Sequence, residues 1–272
     1  EILIRNNTID LSKLDLFLSI KSFFSSNFLL KRAEVAFIEN DIKDLTKITN
    51  AFLPKIINKK LNKIFAKGNL EGAFTIPFES DGSIGKDYGF SGKVSEATIN
   101  LSREFSIKNL TTEINHIKEG NINTFKVSIK NGKIYDLELS DTKINLKREK
   151  NIINVDSLLK TKGKLNYTQI KKISSLLDLD INNFENINAS IDLKTNINFN
   201  LDQKFKVKNL SYEINGDVPF IEFKSKERKI IKKYLKNFDN KFILKDTNLK
   251  LKNSSSVRVL ELKGLVKMND YF

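Results

Sequence analysis

The chain has 272 residues, of which 40% are hydrophobic and 29% are charged, and it contains no Cys, no Trp, three Pro and one His. This composition is typical of a globular, water-exposed chain that forms one extended domain or two ordinary ones, and it excludes a disulfide scaffold. With one His and no Cys, catalytic triads and zinc sites have almost no residues to draw on. We therefore expect neither an enzyme nor a bound metal ion or cofactor.

The chain is basic, because 47 Lys and Arg against 33 Asp and Glu give a formal net charge of +14. Such a charge attracts nucleic acids or anionic membrane surfaces. Only six of the basic residues are Arg, however, and Arg is the side chain that reads bases and phosphates with paired hydrogen bonds. We interpret the charge as a solvated surface and expect no nucleic-acid partner.

No apolar run reaches about 18 residues, the length that a membrane-spanning helix needs. The chain opens with Glu1 and the strand-like segment 2–4. From this we expect an internal piece of a longer protein, with any membrane anchor outside it.

Residues 187–201 alternate between apolar and polar side chains. Apart from Thr195, the odd positions are apolar, namely Ile187, Ala189, Ile191, Leu193, Ile197, Phe199 and Leu201. Because successive side chains of a strand point to opposite faces, the pattern predicts one long strand with an apolar face and a polar face. A hairpin that turns near 194–196 is the alternative, although this segment lacks the Gly that tight hairpins prefer.

Shorter runs with the same period occur along most of the chain. They lie at 14–20, 70–78, 97–101, 125–129, 135–139, 144–146, 242–251 and 257–259. Turn sequences separate several of them, namely DGS at 81–83, EGN at 119–121, NGK at 131–133 and NG at 215–216. Consecutive strands with short turns predict a mainly β fold, in which an antiparallel sheet has one face in water and one apolar face.

Three segments have a helical period instead. Residues 41–65 place Ile42, Leu45, Ile48 and Phe52 on one stripe, with Pro54 at a break or at the start of a second helix. Residues 168–178 and 226–237 carry similar stripes, and Ser225 is a suitable N-cap for the last one. We expect about three short amphipathic helices on the sheet or at its edge, in preference to a membrane-surface role for the basic segment 55–67.

A motif of sixteen residues occurs twice. NLSREFSIKNLTTEIN at 100–115 and NLDQKFKVKNLSYEIN at 200–215 share nine identical positions at a spacing of 100 residues. Each copy follows a helix and a long strand, so we predict helix-plus-meander repeat units at 41–147 and 166–224, with a partial third unit at 225–272, in one elongated segment 1–272. The apolar positions change phase between Ile107 and Leu110, which predicts a bulge or tight turn at the Lys-Asn pair.

These segments resemble a known family. The helix with KDLTKI at 43–48, followed by KGNLEGAFTIPF at 67–78 and GFSGKVSEATINLSREFSIKNLTTEI at 89–114, is similar to the AsmA-like proteins of Gram-negative envelopes. The YhdP branch is the most similar, and the TamB proteins are more distant. The closing segment 242–268 has the same character, so the resemblance covers most of the chain.

The resemblance implies a fold and a function. The fold is a long, strongly twisted and curled antiparallel sheet that forms a hydrophobic groove, in a periplasmic protein whose N-terminal inner-membrane anchor this sequence lacks. The function is transport of phospholipid between the inner and outer membranes. The implied partners are acyl chains, together with both membranes through parts outside this segment. The implied oligomeric state is a monomer, or a stretch continuous with the rest of its own chain.

The alternating pattern indicates which residues line such a groove. They are Phe125, Val127, Ile129, Leu137, Leu139, Ile187, Ile191, Leu193, Ile197, Phe199 and Leu201. For each of them, ordinary packing beneath a helix is the alternative. Replacing Ile191 and Phe199 by Asp is predicted to abolish lipid binding and to leave the sheet folded.

Two other functions compete with the lipid groove. One is a structural or adhesive envelope protein, such as a β-solenoid, in which the apolar face is a dry core. The other is an enzyme, whose best acid or base is His116 beside Glu113 or Glu119. A single His at a strand end is more commonly a polar surface residue.

Overall fold

The computed structural model describes residues 2–4, 7–24, 29–49, 62–176, 179–204, 206–226, 240–254 and 258–268. Within them the strands are β1 (Ile2–Ile4), β2 (Asn7–Ile9), β3 (Leu11–Leu18), β4 (Leu30–Asp41), β5 (Phe65–Pro77), β6 (Gly89–Asn100), β7 (Ser106–Glu119), β8 (Ile122–Ile134), β9 (Leu137–Glu149), β10 (Ile152–Leu165), β11 (Phe184–Leu201), β12 (Val207–Ser225), β13 (Lys241–Asn253) and β14 (Arg258–Met268). The helices are a 3-10 helix (Ile20–Phe23), α1 (Ile42–Thr49) and α2 (Tyr167–Leu176), and residues 62–64 are also helical. The predicted mainly β fold is confirmed.

Twelve of these strands, β3 to β14, form one sheet in which each strand lies beside its neighbours in sequence. Every pair of them with a described register is antiparallel. The order begins with β3 and ends with β14, so these two are the edge strands of an open sheet. The shorter strands β1 and β2 pair with each other. The predicted antiparallel meander is confirmed.

Strand β11 contains the long alternating segment. It runs for 18 residues, from Phe184 to Leu201, without a turn. Ile187 and Ile191 on its apolar side are 6% and 9% exposed, whereas Asn188 and Asp192 on its polar side are exposed. The single long strand is therefore confirmed, and the hairpin alternative is wrong.

The chain divides into two compact units. Unit 1 comprises Glu1–Ile134, Ser140–Ser157 and Asn198–Lys208, and unit 2 comprises Tyr135–Leu139, Leu158–Ile197 and Asn209–Phe272. The repeat units at 41–147, 166–224 and 225–272 were inferred from sequence similarity. This division into compact units does not test them, so they stay a prediction.

Helix α1 begins where the sequence predicts it. The Asp41 carboxylate accepts hydrogen bonds from the backbone N–H groups of Lys43 and Asp44, at 2.6 and 3.4 Å, and so caps the first turn. Ile42 is 4% exposed on the side that packs toward β4 and β5. The helix ends at Thr49, while Phe52 and Pro54 of the predicted segment lie outside the described residues.

Helix α2 has a reciprocal cap of side chains. The Asn166 side chain accepts from the Gln169 backbone N–H at 3.0 Å, and the Gln169 side chain accepts from the Asn166 backbone N–H at 3.0 Å. The predicted helix at 168–178 is confirmed as far as Leu176, and Leu177 lies outside the described residues. Most of the third predicted helix, 227–237, also lies outside them, and its proposed N-cap Ser225 is the last residue of β12.

The repeated motif contains a bulge in its first copy, and its second copy has an Asn in the same backbone conformation. Asn109 and Asn209 occupy equivalent positions and have φ of 51° and 52°, the left-handed region that Asn tolerates better than most residues. Between Lys108 and Thr111 the pairing of β7 with β8 shifts its register. This bulge keeps Ile107 and Leu110 on one face of the sheet although they are three residues apart. The predicted bulge at the Lys-Asn pair is confirmed.

A second recurrent bulge was not predicted from the sequence. Asp141 and Asp246 have φ of 41° and 47°, and the Thr that follows each one is 0% and 1% exposed. Both Thr hydroxyls donate to the carbonyl two residues earlier, at 3.2 Å. The sequence does contain a signal for this feature. The segments LSDTKINLK at 139–147 and LKDTNLKLK at 244–252 share Leu, Asp, Thr, Leu and Lys at equivalent positions.

We predict that Asn109→Val lowers the free energy of unfolding by about 2 kcal/mol, because a β-branched residue is strained in the left-handed region. Asn109→Gly should change it by less than about 0.5 kcal/mol, because Gly adopts this region freely. Urea denaturation of both variants measures the difference. Equal losses in the two variants would show that the Asn side chain, and not the backbone conformation, stabilises the bulge.

Two of the four turn signals are confirmed. DGS at 81–83 lies in the connection between β5 and β6, and EGN at 119–121 turns β7 into β8. NGK at 131–133 and NG at 215–216 are not turns, because they lie inside β8 and β12. There Gly132 is buried, and Gly216 faces the backbone of Asp192 and Leu193 at close range. Gly within a strand thus marks a close approach of two backbones.

Candidate functional site

The candidate site is the apolar face of the sheet, which in unit 1 can be read from the strand register. Directly paired residues of neighbouring strands point to the same face, so each set of partners forms a row across the sheet. The aromatic row consists of Phe74, Phe90, His116 and Phe125 on β5 to β8, and Val35 and Leu14 continue it into β4 and β3. The middle row consists of Phe37, Gly72, Gly92, Ile114 and Val127. The inner row consists of Leu70, Val94, Thr112 and Ile129.

Exposure increases from the inner row to the aromatic row on β5, β6 and β8, whereas on β7 both Thr112 and His116 are buried. In the inner row Val94 and Thr112 are 2% exposed and Ile129 is 5% exposed. In the aromatic row Phe74 is 43% exposed and Phe125 is 38% exposed. The protein therefore covers one end of this apolar face with its own atoms and leaves the other end in contact with solvent.

The rings of the aromatic row contact one another. Phe74 and Phe90 have centroids 4.7 Å apart, and His116 stacks on Phe125 at 4.1 Å. Phe90 lies over the two glycines of the middle row, because a Cβ on Gly92 would fall 2.6 Å from the Phe90 ring and one on Gly72 would fall 3.0 Å from it. Aromatic rings commonly cover glycine in sheets in this way. The glycines thus let Phe90 lie flat on the backbone of its own sheet.

His116 differs from the sequence-based expectation. It is 7% exposed and lies in the aromatic row, and it is not a polar surface residue. Glu113 and Glu119 stand an odd number of residues away in the same strand, so they point to the opposite face. The Glu113 carboxylate lies 3.6 Å from Lys130 there. The structure therefore does not bring together the acid–base pair that an enzyme would use.

The opposite face of unit 1 is polar. Glu71, Lys93 and Glu113 are partners across β5, β6 and β7, and the Lys93 ammonium lies 3.3 Å from the Glu71 carboxylate. The Glu39 carboxylate accepts hydrogen bonds from the side chains of Asn69 and Ser95, at 2.8 and 2.9 Å, and these bonds lower its pKa. Water therefore solvates this face, and the apolar face is the candidate for binding.

Unit 2 has its own apolar face on β12, β13 and β14. One set of partners is Ile214, Leu251 and Leu260, and the next is Gly216, Leu249 and Leu262. Ile214 is 8% exposed, whereas Leu260 and Leu262 on the edge strand are 61% and 50% exposed. Exposure here increases toward the edge of the sheet.

The predicted groove residues fall into three groups. Phe125, Val127 and Ile129 share the apolar face of unit 1 and run from exposed to buried along β8. Leu137, Leu139, Ile187 and Ile191 belong to unit 2 and are each less than 10% exposed. Leu193, Ile197, Phe199 and Leu201 are half-buried, the first two in unit 2 and the last two in unit 1. Contact of any of them with lipid stays a prediction.

Sequence reasoning missed the aromatic row beyond Phe125. Phe74 and Phe90 were not singled out as lining residues, although the dyad pattern of segment 70–78 contains the first of them. His116 has the same parity as Ile114 in EINHIKE, which is a signal that its side chain shares the apolar face.

No protein-family model, curated protein or solved structure matches the chain. The resemblance to AsmA-like proteins therefore rests on the sequence segments quoted above. Among the described residues there is no group of three or more acidic, His or Cys side chains arranged to hold a metal ion. In the same part of the chain, no helix has the length and apolar character needed to cross a membrane.

Proposed function

We propose that this chain is a segment of a lipid-transfer protein, which holds acyl chains against the apolar face of its sheet and carries phospholipid between the inner and outer membranes in a Gram-negative periplasm. The observation that supports the proposal is the exposed aromatic row of unit 1, where Phe74 and Phe125 are 43% and 38% exposed beside further apolar rows. Single exposed apolar side chains are ordinary, whereas a contiguous apolar surface is typical of a binding site.

Hydrocarbon tails suit such a face for energetic reasons. Each methylene group removed from water contributes about 0.8 kcal/mol, so ten of them contribute about 8 kcal/mol before the costs of ordering the chain. The aromatic and middle rows of unit 1 offer almost no side-chain hydrogen-bonding groups, with His116 as the exception. Binding to them would accept any acyl chain and would fix none by a directional bond, which suits movement along a surface.

A structural or adhesive protein with a dry core is the second candidate. It is favoured by the burial of Leu137, Leu139, Ile187 and Ile191, which the protein's own atoms leave 4%, 7%, 6% and 9% exposed. In this function the inner parts of the apolar faces contribute folding stability alone.

Native mass spectrometry of the chain, purified from a Gram-negative host without detergent, separates the two candidates. For the lipid-transfer function we expect a bound phospholipid at defined stoichiometry, and its return when the delipidated chain is incubated with phospholipid vesicles. A chain that carries no phospholipid before or after this incubation has a dry core, and the structural candidate is then correct.

A further inference from the structure

One end of the apolar face in unit 1 finishes in a row of polar side chains. Next to the aromatic row, Lys118 pairs with Asn123 across β7 and β8, and the Lys118 backbone N–H donates to the Tyr88 carbonyl at 3.0 Å. These three residues, Tyr88, Lys118 and Asn123, form the polar row. The Lys118 ammonium lies 4.8 Å from the centre of the Tyr88 ring, so the cation is held on the same face as the aromatic rings.

His116 connects the polar row to the aromatic row. Its ring stacks on Phe125, lies 5.5 Å from the Tyr88 ring, and has Nε2 3.3 Å from the Asn123 side-chain oxygen. Asn123 is the only hydrogen-bond partner of this ring among the described residues, although His116 is 7% exposed. The Asn123 oxygen can only accept, so the His116 ring donates its Nε2–H to it, and this bond orients the Asn123 amide.

The rows therefore follow the same order as the parts of an amphiphile, from a polar head to an apolar tail. Along β7 and β8 the order is the polar row, the aromatic row, the middle row and the inner row, with about 7 Å between successive rows. The carboxylate of Asp87, which precedes Tyr88, accepts a hydrogen bond from the backbone N–H of Gly120 at 2.6 Å. Tyr side chains such as that of Tyr88, which combine a polar hydroxyl with an apolar ring, favour the boundary between hydrocarbon and water.

We infer that the polar row binds the phosphate of a phospholipid headgroup while the acyl chains lie on the aromatic row and on the half-buried Ile114 and Val127 of the middle row. The Lys118 ammonium supplies the charge-assisted hydrogen bond to the phosphate, and the N–H2 group of the Asn123 amide, whose oxygen contacts His116, supplies a further hydrogen bond. The tails leave the headgroup beside Phe90 and Phe125. This inference rests on the proposed lipid-binding function and adds the position and charge of the headgroup site.

The single His of the chain allows a direct test, because its Cε1–H group gives one unambiguous signal in a 1H–13C NMR spectrum. We titrate the full chain with decyl phosphate, with decanol and with inorganic phosphate. Decyl phosphate is expected to shift the His116 signal with a dissociation constant about tenfold lower than that of decanol. Inorganic phosphate is expected to leave the signal in place at the same concentrations, because it lacks the tail.

Lys118→Gln tests the headgroup contact, and Lys126→Gln is its matched control, because Lys126 pairs with Asn115 on the opposite face of the neighbouring strand. Lys118→Gln should remove the preference for decyl phosphate and leave the affinity for decanol unchanged, whereas Lys126→Gln should change neither. If decyl phosphate and decanol bind the unmodified chain equally well, the headgroup site is wrong and the lipid-binding face remains. If neither amphiphile binds, the proposed function is wrong as well.

Discussion

Replacing Phe74 and Phe125 together by Asp is expected to lower the affinity of the chain for a pyrene-labelled phospholipid by more than about tenfold. Both side chains are partly exposed, at 43% and 38%, so the new carboxylates can reach water and the sheet should stay folded. A bound acyl chain would have to cover these charges, and covering an unpaired charge with hydrocarbon costs several kcal/mol. Fluorescence titration measures the affinity, and far-ultraviolet circular dichroism with urea denaturation checks the fold.

Ile117→Asp is the matched control for this experiment. Ile117 is 44% exposed, close to the two Phe residues, but it pairs with Gly89 and Thr124 on the opposite face of the same sheet. Its replacement should leave lipid affinity within about twofold. If Ile117→Asp weakens binding as much as the double variant does, the loss comes from added charge and not from the face. If the double variant binds lipid normally, the aromatic row is not the lipid surface.

The structure also changes which variants are informative. Ile191 and Phe199 were the first choice from the sequence alone. Ile191 is 9% exposed, so an Asp there buries an unpaired carboxylate and lowers the stability of the sheet itself. Loss of lipid from that variant would not separate binding from folding, whereas the exposed Phe pair does.

The sequence predicted the architecture well because the signal for a strand is periodic and long. In residues 187–201 of β11 the even positions are polar throughout and the odd positions are apolar except for Thr195, so only an extended chain separates the two sets. The Lys-Asn bulge could be predicted for the same reason. A change of phase between Ile107 and Leu110 requires an extra residue if both are to stay on one face.

The exposure of each apolar residue could not be predicted, because alternation indicates the face and not what covers it. Phe125 and Ile129 stand four residues apart on the same face of β8, yet one is 38% exposed and the other 5% exposed. The difference depends on neighbouring strands and helices that are distant in sequence. Gly132 and Gly216 misled the turn prediction because the same residue serves tight turns and close strand contacts.

Close strand contacts are the basis of the second large effect, which we expect for Gly216→Ala. Gly216 lies within β12 at φ 151°, and an added Cβ would collide with the Asp192 carbonyl oxygen and lie 2.9 Å from Leu193 Cα. Gly163 repeats this arrangement at φ 149°, facing Asp136 and Leu137. Since the contacting atoms are backbone atoms of a paired strand, no side-chain rotation can relieve the collision.

Gly216→Ala is therefore expected to lower the free energy of unfolding of unit 2 by more than about 3 kcal/mol, because steric overlap adds to a backbone conformation that Ala avoids. Gly89→Ala is the control, because its nearest neighbouring atom is 3.7 Å away and its φ is not in the positive range; we expect a change within about 0.5 kcal/mol. Urea denaturation followed by circular dichroism measures both variants. Similar stabilities for the two would mean that β12 and its neighbour are not held at the close spacing that Gly216 permits.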